Sequence, residues 1–348
     1  MRAILSMQPF DTKKYCMRRS FLLCCLLALG LLLSGTAQAV ESVSLKVGIG
    51  DPITADAGEL GLKFKELVEK RTGGKVKVTL YPNCELGDET EMLHNVRRGV
   101  LDMTCVGVGN ITPFSQGLGV LTFPYLFEND EMVVRGTTGP AMDMLNKLTI
   151  KQAGLRILAF SYTSFRHLTN SKRPVETLDD IRGLKIRVPS NKVFIETYKA
   201  WGASPVPMAW SETFTALQQG VLDGQCNPYV VNHSKKFEEI QSYLTELHYT
   251  YSLQPLVIGE RHFKKLSPEL QTILTEAGLE AQAHVLTWQN DHSGAAKKAM
   301  QDAGVKISTL KDEDKWREVA MTKVWPMLYE IVGGRQLVDD YLKLLGGK

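Results

Sequence analysis

Two arginines are the residues best suited to bind an anionic molecule. Arg187 ends the segment GLKIRVP, where Pro189 cannot continue a β-ladder, and Arg166 lies in SYTSFRHLTN, after the apolar segment LRILAF. A guanidinium group matches a carboxylate or a sulfonate with two parallel hydrogen bonds, each worth about 1.5 to 3 kcal/mol. The alternative is a surface role for both arginines, paired with acids such as Glu176. The position of Arg187 at the end of a predicted strand favours an anion site.

Three further side chains could contribute to the same site, and each has a structural alternative. Asn227, in GQCNPY, could donate to an anion or accept from a hydroxyl, or it could form a turn before Pro228. Trp210, in MAWSETF, could form an aromatic wall or pack in the core. Glu89, in ELGDETEM, could accept a ligand hydroxyl or complement a helix dipole.

Motifs typical of enzymes and of metal sites are incomplete or absent in this sequence. The segment VGVGNIT has Thr112 where a dinucleotide-binding loop needs its third glycine, and neither H-E-x-x-H nor G-x-S-x-G occurs. Glu91 and His94 have a metal-ligand spacing but no second cluster, which favours a solvated helix face. Cys105 and Cys226 have no histidine at a spacing that suggests a nucleophile pair. We therefore expect no catalysis, no cofactor and no metal.

The segments GVLDMTC (99–105) and GVLDGQC (220–226) repeat one pattern and indicate two similar halves. In each, a glycine ends a helix and apolar residues enter a sheet. Such junctions also recur within any α/β protein, so the seven residues alone do not prove a repeat.

The two halves have the same predicted order of strands and helices. In the first half we predict strands at 42–49, 75–82 and 100–106 and helices at 57–70 and 88–98. In the second half we predict strands at 183–189, 204–208 and 221–226 and helices at 191–201 and 211–219, the last capped by Ser211.

This order predicts parallel α/β layers and a two-lobed fold with a ligand cleft between the strand ends of the lobes. Residues 267–304 predict one long helix, with Ser267 as N-cap and Gly278 and Gly294 tolerated, and about 1.5 Å per residue would let it span both lobes. The chain would cross between lobes near Tyr162 and Ser252. We expect lobe I to contain residues 40–163 plus about 253–292, and lobe II 164–252 plus about 293–348.

The first 39 residues predict an export signal. Arg18 and Arg19 precede an uncharged run at 21–33, and Ala37 and Ala39 form an A-x-A cleavage site. Met17 is a possible true start, and both the general and the twin-arginine export routes remain open. The signal carries five Lys or Arg and one Asp, so its removal changes the formal charge from +3 to about −1, which gives no basic surface for nucleic acid. We expect a periplasmic, monomeric protein with three cysteines, which leave one disulfide possible.

Several segments resemble the solute-binding proteins of TRAP transporters (tripartite ATP-independent periplasmic). The resemblance covers nearly all of residues 44–304. It is carried by GLKIRVP, WGASPVPMAWSETFTALQQGVLDGQCNPY and KKFEEIQSYLTELHY in the second half and by LYPNCELGDETEMLHNVRRGVLDM and FPYLF in the first.

The resemblance implies an exported receptor whose lobes close over an organic acid and deliver it to a membrane permease driven by an ion gradient. In the family the arginine of the RVP motif, here Arg187, binds the anionic group, and positions matching Arg166, Trp210 and Asn227 complete the pocket. Two departures stand out. Cys226 replaces a common Glu, and Gly107 lies near the place where sialic-acid binders carry an acid, which disfavours a polyhydroxylated sugar acid.

Short dicarboxylates, hydroxy or keto acids and small sulfonates such as isethionate remain open as ligands. Two other functions also remain possible. One is a periplasmic enzyme that acts on a small organic acid in the same cleft, and the other is a receptor that presents the ligand to a sensor kinase.

Overall fold

Two mixed β-sheets form the framework of the computed structural model, which describes residues 42–346. The predicted export signal at 1–39 lies outside the described residues. The strands are β1 (Val43–Ile49), β2 (Val76–Tyr81), β3 (Met103–Cys105), β4 (Leu155–Phe165), β5 (His167–Asn170), β6 (Lys185–Val188), β7 (Ser204–Pro207), β8 (Gly224–Asn227), β9 (Tyr243–Glu246), β10 (Tyr251–Gly259) and β11 (Lys306–Thr309).

The strand order shows that both sheets are built on the same plan. The first sheet has the order β2-β1-β3-β10-β4 and the second has β7-β6-β8-β5-β9-β11. Strands β1, β2 and β3 pair in parallel, as do β6, β7 and β8. We call the elements packed on the first sheet the first lobe and those packed on the second sheet the second lobe.

The strands predicted for the parallel layer of each half do pair in parallel, but each sheet also contains an antiparallel strand that the sequence did not predict. Strand β10 lies antiparallel between β3 and β4, and β5 lies antiparallel between β8 and β9. Both strands begin directly after the chain has passed from one sheet to the other, between Phe165 and His167 and between Glu246 and Tyr251. Each therefore enters its sheet from the cleft side, and runs against the strands whose carboxyl ends face the cleft.

Within residues 42–346, thirteen α-helices surround the sheets. They are α1 (Asp56–Arg71), α2 (Glu89–Arg98), α3 (Val108–Ile111), α4 (Asp130–Gly136), α5 (Gly139–Ala153), α6 (Lys192–Ala200), α7 (Trp210–Gln218), α8 (Tyr229–Ser234), α9 (Glu260–Phe263), α10 (Pro268–Asp302), α11 (Glu313–Val319), α12 (Trp325–Val332) and α13 (Arg335–Leu344). Short 3₁₀ helices span Gln116–Thr122 and Phe237–Glu239, and a π-helical turn spans Ala320–Val324. None of the helices within 42–346 is long and apolar enough to cross a membrane.

The two GVLD segments have the same structural role in both lobes. Gly99 and Gly220 end α2 and α7 with φ of 77° and 71°, values that glycine adopts without strain. The aspartates that follow, Asp102 and Asp223, accept the backbone N–H groups of Lys46 and Lys185, each at 2.8 Å. The repeat is therefore a helix end joined to a hydrogen bond that fixes the neighbouring strand.

The predicted strands at 100–106 and 221–226 begin too early. Val100 and Val221 are 71% and 53% exposed, because both lie in the turn that directly follows a helix. The strands β3 and β8 begin at Met103 and Gly224, after the aspartates have turned the chain into the sheet. An apolar residue directly after a helix-ending glycine therefore does not mark the first buried position of a strand.

The long helix α10 spans 35 residues, and Ser267 caps it by accepting the backbone N–H of Leu270 at 3.2 Å. At about 1.5 Å per residue it is roughly 50 Å long. It packs on α1 and β4 in the first lobe and on α8 in the second. The helix therefore links the lobes, as the sequence predicted.

The C-terminal helices depart from the predicted division, which assigned 293–348 to lobe II. Trp325, Val332 and Tyr341 pack into the apolar cluster that contains Phe123 and other first-lobe residues. Tyr341 also donates to the carbonyl of Gly136 at 2.7 Å. The chain end packs on the first lobe because its apolar side chains fill that core.

Candidate functional site

One cleft brings together all five residues that the sequence singled out. It lies where β1 and β3 of the first lobe and β6 and β8 of the second lobe end, and it encloses about 490 Å³ including its solvent-open part. Arg187, Arg166, Asn227, Trp210 and Glu89 all line it. The other lining residues include Asp51, Asn110, Phe194, Ser252 and Gln254.

Arg187 lies in β6 and is only 4% exposed. Its Nε donates to the carbonyl of Met208 at 3.0 Å, and its guanidinium carbon lies 5.3 Å from the ring centre of Trp210. Within residues 42–346 no carboxylate lies within 4.0 Å of it. Burial lowers the pKa of Arg187 to about 10, with Arg166 contributing in the same direction and Glu89 opposing it. Its two terminal nitrogens are therefore available to an anion in the cleft.

Arg166 connects β4 to β5, at the first crossing between the lobes. One terminal nitrogen donates to Ser252 Oγ at 3.1 Å and the other to the carbonyl of Cys226 at 2.5 Å. Its Nε is buried without a hydrogen-bond partner among the described residues, and its guanidinium carbon lies 5.6 Å from the ring centre of Phe194. The second cation of the cleft is thus anchored by backbone and hydroxyl groups, and among residues 42–346 no carboxylate lies within 4.0 Å of it.

Trp210 joins the two lobes across the cleft. Its Nε1 donates to Asp51 Oδ1 at 2.7 Å, and Gln254 Nε2 donates to Asp51 Oδ2 at 2.6 Å. The ring also packs edge-on against Phe237, so Trp210 belongs to a small core as well as to the cleft wall. The helix α7 begins at Trp210 and not after Ser211, because Ala209 occupies the N-cap position; the predicted cap was wrong.

Glu89 lies in the first turn of α2 but faces the cleft. Its carboxylate accepts the backbone N–H of Gly107 at 2.9 Å and Asn110 Nδ2 at 2.6 Å, while Asp88 caps the helix. Burial, followed by the neighbouring Asp51, raises the pKa of Glu89 to about 7 against the opposing effects of Gly107 and the two arginines. A Cβ at Gly50 would lie 2.7 Å from Glu89 Oε1, so the glycine at this position leaves room for the carboxylate.

Asn227 ends β8 and is buried in the cleft wall. Its Nδ2 donates to Gln225 Oε1 at 2.6 Å, and its carbonyl accepts from Asn232 Nδ2 at 2.9 Å. The bond to Gln225 holds the side-chain amide in place, whereas Asn232 binds the backbone carbonyl. The amide oxygen and second N–H of Asn227 are therefore left for a ligand.

The three cysteines of the described chain are free thiols, so none forms the disulfide that the sequence left open. Cys226, where the resemblance led us to expect a glutamate, is not among the residues that line the cleft. Its sulfur lies 3.0 Å from Tyr249 Oη, and its backbone carbonyl accepts from Arg166. Cys226 therefore supports Arg166 and is not part of the surface that a ligand would touch.

Glu91 and His94 both lie on the exposed face of α2. The His94 ring packs edge-on against Phe114 with ring centres 4.8 Å apart. No group of three or more His, Cys, Asp or Glu within residues 42–346 is placed to hold a metal ion.

Sequence reasoning missed Asp51, Asn110 and Gln254. Asp51 follows the end of β1 by two residues, and closeness to a strand end is the signal that drew attention to Arg187. That signal could have found it. Gln254 lies inside β10 and gives no comparable signal.

Two α/β lobes with a polar cleft between their strand ends define the class of two-lobed solute-binding proteins. The chain belongs to the TRAP periplasmic solute-binding proteins, since the family model described as bacterial extracellular solute-binding protein, family 7 (DctP), matches residues 51–330.

Relatives confirm this membership over most of the chain. The 2,3-diketo-L-gulonate-binding periplasmic protein YiaO of Escherichia coli is 31% identical over 85% of this chain and 90% of its own. The C4-dicarboxylate-binding periplasmic protein DctP of Rhodobacter capsulatus is 32% identical over 89% of this chain and 93% of its own. The crystal structure of the sugar acid binding protein of Advenella mimigardefordensis with galactonate matches with a TM-score of 0.84 and 28% identity, covering 88% and 99% of the chains.

Proposed function

We propose that this protein captures a small organic anion in the periplasm and delivers it to the membrane permease of a TRAP transporter. The observation that carries the proposal is the pair of buried guanidinium groups, Arg187 and Arg166, at a cleft between two lobes. A buried cation without an acid beside it is costly, and an anionic ligand supplies the missing partner. Carboxylates and small sulfonates such as isethionate both fit this fork of donors.

The relatives support an organic anion but not one class of it. Diketogulonate and galactonate carry one carboxylate, whereas a C4-dicarboxylate carries two. All three would present a carboxylate to Arg187. The export signal predicted at 1–39 supports a periplasmic location.

Replacing Arg187 by alanine tests this function directly. We expect Arg187→Ala to weaken binding of the selected anion by about 3 to 5 kcal/mol, more than a hundredfold, because the anion loses its charge-assisted partner. Titration calorimetry after a thermal-shift screen of carboxylates, keto acids, sugar acids and sulfonates measures this. Arg182→Ala is the control, since Arg182 is exposed and pairs with Asp179.

An unchanged affinity in Arg187→Ala would remove the cleft from the function. Mass spectrometry of the ligand after incubation separates a binding protein from an enzyme, because only a binding protein returns the ligand chemically unaltered.

A further inference from the structure

We propose that the ligand is a monoanion that carries several hydroxyl groups, such as a short aldonate, and that Asp51 and Glu89 select it. In this assignment, which rests on the function proposed above, the arginines bind the single carboxylate. The two carboxyl groups accept hydroxyl hydrogens from the rest of the ligand and repel a second anionic group.

The two walls of the cleft differ in charge. Arg187 and Asn227 lie in the second lobe and Arg166 at the crossing into it, whereas Asp51 and Glu89 belong to the first lobe. Both acids are nearly buried, at 4% and 7% exposure, yet neither has a Lys, Arg or His within 4.0 Å among residues 42–346. Neither carboxyl group is therefore used in a direct ion pair, although Arg187 and Arg166 lower the pKa of Glu89 from across the cleft.

Neutral donors hold both carboxyl groups in position and leave them unsaturated. Asp51 receives one hydrogen bond on each oxygen, from Trp210 and Gln254. Glu89 also receives one on each oxygen, from Gly107 and Asn110. A carboxylate can accept about four hydrogen bonds, so each acid keeps about two acceptor positions. Acceptors fixed in a cleft require donors, and hydroxyl groups are the donors that a small organic acid can carry.

The same two acids make a dicarboxylate unfavourable. A second carboxylate offers only acceptors to a wall that already presents acceptors. Two like charges about 4 Å apart cost on the order of 4 kcal/mol at the effective dielectric constant of a protein surface. The first-lobe wall thus excludes by repulsion what the second-lobe arginines alone would accept. The effect is fully present only above pH 7, because the pKa of Glu89 is raised to about 7.

The position of Glu89 bears on the expectation, drawn from Gly107, that a polyhydroxylated sugar acid is disfavoured. Gly107 brings no acid of its own on the segment after β3, but its backbone N–H binds Glu89 Oε1 at 2.9 Å. The carboxyl group beside this strand end therefore comes from α2. Gly50 leaves the space that it occupies, because any Cβ there would collide with it.

Three four-carbon acids test the proposal by calorimetry on the protein without residues 1–39. Butanoate has one carboxylate and no hydroxyl, D-erythronate adds three hydroxyls, and succinate adds a second carboxylate. We expect erythronate to bind at least a hundredfold more tightly than either of the others. Asp51→Asn and Glu89→Gln should each weaken erythronate at least tenfold and reduce its advantage over succinate. Thermal unfolding of each variant shows whether the fold is retained.

Two results would overturn the selection by Asp51 and Glu89 while leaving the proposed function intact. One is succinate or butanoate binding as tightly as erythronate. The other is an erythronate-to-succinate ratio that stays the same in folded Asp51→Asn and Glu89→Gln. If neither these acids nor any other organic anion binds, the proposed function itself fails.

Discussion

The carboxyl group of Glu89 links protonation to the stability of the cleft. Burial and Asp51 raise its pKa in the folded protein to about 7 from the ordinary 4.5, although Arg187 and Arg166 act against this. Between these two values the folded protein binds more protons than the unfolded chain does. The free energy of unfolding therefore falls as the pH rises through this window.

We expect Glu89→Gln to remove this pH dependence. Between pH 5 and pH 8 the free energy of unfolding of the wild-type protein should fall by about 2 to 3 kcal/mol more than that of the variant. Urea unfolding without ligand measures this difference. Glu91→Gln, at an exposed position of the same helix, is the control. Other titrating groups such as His167 and Asp56 are common to all three proteins, so they cancel in the comparison. Parallel pH profiles for wild type and Glu89→Gln would contradict the raised pKa.

At the scale of single residues, a nearby strand end or helix start was the signal for cleft residues, although Asp51, which follows β1, was missed. Arg187, Asn227 and Trp210 follow from strand ends and a helix start. Gln254 could not be predicted, because it meets Asp51 across 203 positions of sequence. That contact depends on where β10 enters the sheet, which no local pattern specifies.

At the scale of elements, two glycines of α10 have opposite roles that the sequence did not separate. A Cβ at Gly278 would lie 2.5 Å from the carbonyl oxygen of Leu158 in β4, whereas a Cβ at Gly294 meets nothing within 4 Å. The first glycine lets the helix approach the sheet closely. The second only lowers helix propensity.

We expect Gly278→Ala to destabilise the protein by about 1 to 3 kcal/mol through overpacking. Gly294→Ala should stabilise it by about 0.5 to 1 kcal/mol, because alanine favours the helix. Thermal unfolding of the two matched variants measures both effects. Equal shifts in the two variants would show that helix propensity, and not the contact with Leu158, decides the outcome at Gly278.

The helices α1, α2, α6, α7 and α10 and the parallel strands were predictable from glycine ends, capping residues and apolar spacing. The antiparallel strands β5 and β10 were not, because their place in the sheets follows from the path of the chain between lobes. Local periodicity predicts that a segment forms a strand, but it does not predict which other strands will pair with it.

At the scale of the whole molecule, polar contacts hold the lobes together across the cleft. Besides the bond between Trp210 and Asp51, Asn191 Nδ2 donates to Thr112 Oγ1 at 3.0 Å and to the carbonyl of Gly109 at 3.3 Å. A Cβ at Gly109 would lie 3.1 Å from Phe194 Cε2, so the lobes approach closely there. The structure thus has the lobes closed on each other.

We expect Trp210→Phe to weaken ligand binding about tenfold to a hundredfold. The phenyl ring cannot donate to Asp51, and a hydrogen bond to a charged group contributes about 1.5 to 3 kcal/mol to the closed state. Calorimetry measures the loss, and Trp288→Phe is the control, since Trp288 stacks on His292 away from the cleft. Small-angle scattering should show wild-type protein contracting on ligand addition. Identical dimensions with and without ligand would contradict closure.

The return of β10 to the first sheet affects the order in which the protein can be assembled. Strands β3 and β4 both pair with β10, whose residues follow those of β5 to β9 in the chain. A chain synthesised or exported only as far as β9 would therefore expose two unpaired strand edges, which invite aggregation. The first half of the sequence cannot complete its own sheet, so the first lobe cannot close that sheet before residue 259 is available.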